Sequence, residues 1–186
     1  MTEAEYLAQD GTPAGRGTGA GFWFGLAALL LTAAGLLVMA TYDLPFYTKG
    51  QAREATVVMA ILDTGEFVLP LRNGQEIPSK PPLFHWLASA ASMAAGRLDE
   101  FTVRLPSVLT SLVALAATAW AGMRMFGPRT GLMAFLVLLS CQQWLVSSTS
   151  ARVDMTLAAL VTICLVSAMT DRNGGRRHPW PIYMAA

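Results

Sequence analysis

The sequence predicts an all-α, polytopic membrane protein with about four transmembrane helices and a long outer loop carrying two interfacial amphipathic helices. Three observations predict it. The 186 residues are 54% hydrophobic and 13% charged, with a mean hydropathy of +0.45, which is too apolar for a soluble domain of this size. Four separate runs are apolar enough for membrane helices. About sixty residues between the first two runs have helical periodicity broken by Gly and Pro. The net charge of +1 and the lack of any Lys/Arg-rich run exclude nucleic acid as a partner.

Residues 1–21 are rich in Gly, Thr and Ala, carry Glu3, Glu5, Asp10 and Arg16, and read as a flexible cytoplasmic tail. They lack the positive n-region of a signal peptide, and the apolar run that follows is too long for an h-region. The first span, 22–42, contains "FWFGLAALLLTAAGLLVMAT", twenty uncharged residues that cover a ~30 Å hydrocarbon core. Trp23 and Tyr42 stand near its ends, where aromatic belts lie. Three further runs follow within residues 105–170: Pro106 to Met123 between Arg104 and Arg124, Gly131 to Val146 after "FGPRTG", and Met155 to Met169 after "SSTSARVD". The short link between the last two predicts an antiparallel hairpin. Residues 171–186 read as a cytoplasmic basic stretch ending in the start of a fifth helix, which suggests part of a longer protein.

Arg124 and Arg129 in one short connection, with Arg172, Arg176 and Arg177 after the last span, put those segments and the N-terminus in the cytoplasm. The 43–104 segment and Ala151 to Asp154 are then outside. Within this outer loop, "QAREATVVMAIL" predicts a helix with an apolar stripe at Ala55, Val58, Met59 and Leu62, capped by Gly65. "EFVLPL" reads as extended and Asn73-Gly74 as a turn. Pro81-Pro82 then opens a second helix, "LFHWLASAASMAAG". Both helices should lie along the membrane face.

Lys80 therefore precedes a helix start, where unpaired N–H groups and the helix dipole add to its charge and suit an anion. The competing reading is a lysine that snorkels to lipid headgroups. Arg53 and Glu54 read on physics alone as solvated residues or a weak exposed pair. Asp154 reads as a helix-start residue after "SSTS" or, if it lies deeper, as a costly intramembrane acid with a function. His85 reads as interfacial packing with Trp86 ahead of a metal ligand, and Asp99 and Glu100 as solvated loop charges. Cys141 and Cys164 read as small buried hydrophobes.

The segment "AREATVVMAILDTGEFVLPLRNGQEIPSKPPLFHW" resembles the first outer loop of GT-C class membrane glycosyltransferases, the relatives of aminoarabinose transferases and of dolichyl-phosphate-mannose protein mannosyltransferases. The matching positions are Arg53, Gly65-Glu66-Phe67, Pro70, Asn73-Gly74 and Lys80-Pro81-Pro82, followed by "RLPSVL" from Arg104 and by Asp154. The resemblance implies a GT-C-like N-terminal half. It implies transfer of a sugar from a polyisoprenyl-phosphate donor to a lipid, glycan or protein acceptor, with inversion, at the outer face of the bacterial inner membrane. Lys80 and Arg53, with Arg152 as a third cation, would hold the lipid phosphate. A carboxylate would take the acceptor's proton or hold a divalent metal ion, the only cofactor implied, and Asp154 matches best. Counted back from Gly65, the family's acidic pair falls on the uncharged Gly50-Gln51, so Glu54 or Asp43 would supply that carboxylate from a shifted position. The rivals are a transporter or flippase, which would require discontinuous helices and an inverted repeat, and a non-catalytic membrane subunit. Convergence of Arg53, Lys80 and Asp154 on one cavity would favour the enzyme.

Overall fold

Uncharged sequence from Gly19 onward leaves the backbone no partner but itself in a membrane, and the first element is a helix, α1 (Gly19–Thr41). The computed structural model describes residues 19–42, 44–72, 75–78 and 80–174. The N-terminal tail, Asp43, the Asn73-Gly74 turn and the start of a fifth helix lie outside the described residues. Thr32 and Thr41 donate their hydroxyls to Ala28 O and Leu37 O, so α1 hides its polar atoms within itself. Its inner stripe, Phe22, Leu26, Ala33 and Leu37, is buried, while Leu31, Leu36 and Met39 face outward.

Two shorter helices follow, α2 (Lys49–Thr64) and α3 (Leu83–Ala95). Gly65 and Gly96 end them in the left-handed conformation at φ 71° and 65°, which glycine adopts without strain. Both interfacial helices thus form where the sequence predicts them, but the stripe on α2 is rotated. Gln51, Glu54, Val57, Val58 and Ile61 are buried, whereas Met59 is exposed. The "EFVLPL" piece is not extended: Glu66 Oε1 accepts from the backbone N–H of Val68 and Leu69 and folds it into a turn. Trp86 Nε1 donates to Phe67 O at 2.8 Å and ties that turn to α3.

The long helix α4 (Glu100–Phe126) starts before the predicted span because Asp99 and Thr102 form a reciprocal capping box. Asp99 is therefore a cap and Glu100 a first-turn residue, not loop charges. Helix α4 packs against every other described helix. Its turn into α5 (Pro128–Ser140) is tight because Gly122 and Gly131 let the backbones touch: a Cβ at Gly131 would stand 2.4 Å from Ala119 O. Phe135 of α5, Leu115 and Ala119 of α4 and Phe22, Leu26 and Ala33 of α1 form one core.

Where one span was expected over residues 131–146, the chain bends by 73° at Cys141 between α5 and α6 (Gln142–Ser148). Cys141 is exposed at this break rather than buried. The last helix, α7 (Val153–Gly174), packs mainly on α4, as α5 does, so the expected α5–α7 hairpin is replaced by two helices flanking α4. Among the described residues α1 and α4 are long and apolar enough to cross a membrane. The bent α5–α6 pair would make a third span, and Val153–Met169 is a shorter apolar stretch. The result is an all-helical, multi-pass membrane fold with α4 at its centre.

Candidate functional site

Rotation of the α2 stripe places a carboxylate where the sequence offered only alkyl groups. Glu54 lies on the buried face of α2, and both of its oxygens are taken. Oε1 accepts from Lys80 Nζ at 3.0 Å and Oε2 meets His85 Nε2 at 2.7 Å. Pro81 and Pro82 restrict the backbone between Lys80 and α3, and His85 follows in the first turn of that helix. The Glu54 and His85 side chains are 5% and 1% exposed, but Lys80 remains 38% exposed, so the cluster is sealed at one end and open at the other.

Burial alone would push the Glu54 carboxyl up. The hydrogen bonds from His85 and Lys80, with the lysine's charge, outweigh it and hold the group below the usual carboxylate range. Glu54 is thus ionised, and an ionised carboxylate only accepts, so Nε2 of His85 carries the proton. Lys80 has three N–H donors and one is engaged by Glu54. The others can meet an anionic oxygen from outside.

A second cluster lies alongside. Arg104, fully buried on α4, donates Nε to Gln51 Oε1 at 3.0 Å and one terminal nitrogen to Pro45 O at 2.9 Å; the other bonds to Leu44 O. Its guanidinium lies over the Phe46 ring. Gln51 Oε1 also accepts from the Ala151 backbone N–H at 3.4 Å, while Gln51 Nε2 is buried without a partner among the described residues. Ser107 Oγ donates to Arg152 O, and Ala151 and Val153 pack with Phe84 and Val103. The turn before α7 is thereby pinned beside the outer segment.

The predicted site residues fall into separate groups. Lys80 and Glu54 come together, with the lysine bound to a carboxylate rather than standing free. Arg152 and Asp154 pair at 3.1 Å, both about half exposed. Arg53 is exposed, with no polar partner among the described residues. Asp43 lies outside the described residues. Arg53, Lys80 and Asp154 therefore do not form one cluster. A cavity of about 230 Å³ opens beside α2, lined by residues including Phe46, Ala52, Ala55, Glu100 and Val103, but neither Lys80 nor Asp154 lines it. No three His, Cys, Asp or Glu side chains among the described residues come together to hold a metal ion.

The sequence reading missed His85 and Arg104. His85 is buried against Glu54 instead of packing at the interface with Trp86. The signal for it was the spacing of Gln51, Glu54, Val58 and Ile61, which fall on one helical face and make a buried carboxylate that needs a partner. For Arg104 the signal was the Asp99 capping box, which starts the helix upstream of the arginine.

Residues 79–186 match the dolichyl-phosphate-mannose-protein mannosyltransferase family. Among solved structures, ArnT from Cupriavidus metallidurans bound to undecaprenyl phosphate is similar, with 24% identity and a TM-score of 0.73, over 83% of this chain and 28% of that one. The apo state of the same protein is similar at 23% identity and a TM-score of 0.73, over 87% of this chain and 29% of that one. The chain thus spans less than a third of the length of these proteins, and the likeness at this identity is one of fold. The family match starts one residue before Lys80 and takes in His85, Arg104, Arg152 and Asp154. With more than half of its length matched, and with its helices arranged as in ArnT, the chain belongs to the dolichyl-phosphate-mannose-protein mannosyltransferase family.

Proposed function

We propose that this chain forms the donor-phosphate end of a glycosyltransferase that moves a sugar from a polyisoprenyl-phosphate carrier to an acceptor at the outer face of a bacterial inner membrane. The observation that carries the reading is the Lys80 ammonium, anchored by buried Glu54 and open on its other side. Its setting in a family member similar to a protein crystallised with undecaprenyl phosphate supports a lipid phosphate as the anion.

In the transfer, the bond between the anomeric carbon and the phosphate oxygen breaks and a bond to the acceptor oxygen forms, with inversion. The leaving phosphate keeps the electron pair, and Lys80 stabilises that charge. Glu54 has both oxygens engaged and is poorly placed to accept a further proton. Asp154, exposed and paired with Arg152, takes the acceptor's proton. Arg53, on the exposed side of α2, is a further cation for the phosphate in this reading. The Arg124 and Arg129 end of α4 and α5 faces the cytoplasm in this arrangement.

The bend at Cys141 is the one observation that a transporter reading would claim, because transporters use broken helices. Cys141, Gln142 and Gln143 at the break bring no carboxylate or cationic side chain, and the ion pairs gather elsewhere. The convergence of Arg53, Lys80 and Asp154 expected of the enzyme is not found, and the enzyme reading is preferred on the family match. Lys80→Ala should lower undecaprenyl-phosphate binding by at least about tenfold, since an ion-supported hydrogen bond contributes about 1.5–3 kcal/mol. The measurement is a titration of purified full-length protein in nanodiscs, and unchanged affinity would refute the assignment of Lys80.

A further inference from the structure

We propose that His85 is a positioning residue for Lys80: by holding the inner oxygen of Glu54 it keeps the outer oxygen on the ammonium, and its proton sets the charge the cluster presents to a phosphate. This rests on the reading of Lys80 as the phosphate-facing group and deepens it.

The three side chains come from three different segments, and contact with the anion is open only at the lysine. With Glu54 ionised and His85 neutral, Lys80 and Glu54 cancel, and an incoming phosphate meets a neutral assembly. When Nδ1 of His85 takes a proton from solvent, the assembly becomes +1 and Glu54 is drawn towards the imidazolium. Its hold on Lys80 weakens, and the ammonium is released towards the phosphate. Binding of the anion and protonation of His85 therefore favour each other, and the coupling is reciprocal. Imidazole is suited to this because its ordinary titration lies between pH 5 and 8.

Other charges on the elements around α3 do not compete for the ring. On α2, Lys49, Arg53 and Asp63 are exposed. On α4, Glu100 is exposed, Arg104 is bound to Gln51, Leu44 and Pro45, and Arg124 stands at the far end. On α7, Asp154 is paired with Arg152, and Asp171 and Arg172 lie in the last turn. The Phe84 ring also packs edge-on against it, with centroids 5.7 Å apart. The charge state of His85 is thus read by Glu54, and through it by Lys80.

The test uses full-length protein in nanodiscs and undecaprenyl phosphate as the probe. In a His178→Gln background one histidine remains, and its ring signals can be followed by NMR across pH with and without the lipid. Lipid should raise the titration midpoint by about one unit, equivalent to a tenfold coupling. In parallel, the ratio of wild-type to His85→Gln affinity should grow about tenfold between about pH 8.5 and 5.5. Glutamine keeps a donor for Glu54 but cannot titrate, so a purely structural role for His85 would not produce that divergence. An unchanged midpoint, or parallel affinity profiles, overturns the proposal. If Lys80→Ala loses binding while the profiles stay parallel, only the His85 inference fails. If Lys80→Ala binds as the wild type does, the phosphate reading falls and the inference with it. Should His85→Gln fail to fold, the midpoint shift in protein that retains His85 decides alone.

Discussion

Glu54 and Arg104 stand on neighbouring helices and are buried to a similar degree, yet they are held in opposite ways. Glu54 is held by two groups that are or can become cations, one of which reaches the surface. Arg104 is held by uncharged acceptors, two backbone carbonyls and an amide. The first arrangement leaves a charge that an outside molecule can reach. The second uses a charge as a strut, since a guanidinium can bond in several directions at once. Burial of an ionised group does not by itself mark a site; what matters is whether its network ends in solvent.

That distinction can be broken most forcefully at the strut. Arg104→Met leaves the Leu44 and Pro45 carbonyls without their donor and Gln51 Oε1 with only the Ala151 N–H, and should cost about 3 kcal/mol, since a buried acceptor left unsatisfied costs about 1–3 kcal/mol. Thermal unfolding in detergent checks it, and loss of phosphate binding should follow only through loss of fold. Glu54→Gln is expected to be milder, about 2 kcal/mol near neutral pH, as charged hydrogen bonds become neutral ones. Its pH dependence has a definite sign. Because the folded carboxyl sits below its ordinary value of 4.5, its stabilisation is complete above that pH and is lost as the pH falls through the folded value. Acid unfolding of the wild type should therefore show a limb below about pH 4.5 that Glu54→Gln lacks; identical acid limbs would remove Glu54 from the buried network. The smallest effect on stability is expected at the exposed pair. Asp154→Asn should change it by less than about 1 kcal/mol. If Asp154 is the base, transfer of a labelled sugar should fall by about a hundredfold or more while lipid binding persists; near-normal transfer would move the base elsewhere.

Local chemistry made much of the architecture legible. Gly65 after α2, Pro81-Pro82 before α3 and the uncharged run of α1 each act on their own neighbours, and the helices form there. Membership of the family was also readable, from short motifs in order. The Glu54–His85 bond was not, because the partners are 31 positions apart and nothing in either neighbourhood names the other. A one-position rotation of the α2 stripe was enough to hide it, since Met59 and Val58 are equally apolar in sequence and only packing tells them apart. Asp154 was found correctly as a residue beside a helix start, but its pairing with Arg152 and the pinning of that turn by Gln51 and Ser107 depend on contacts made across the fold.

The strut also has a consequence for how the chain is made. A ribosome delivers α1 and the whole outer segment before it reaches residue 104, so the carbonyls of Leu44 and Pro45 emerge about sixty residues ahead of their donor. The Gln51 contact with Ala151 waits a further forty-odd residues. The segment between α1 and α4 can therefore adopt its finished shape only after α4 has been made, which makes the arrival of that helix the timing step for the contacts on either side of it.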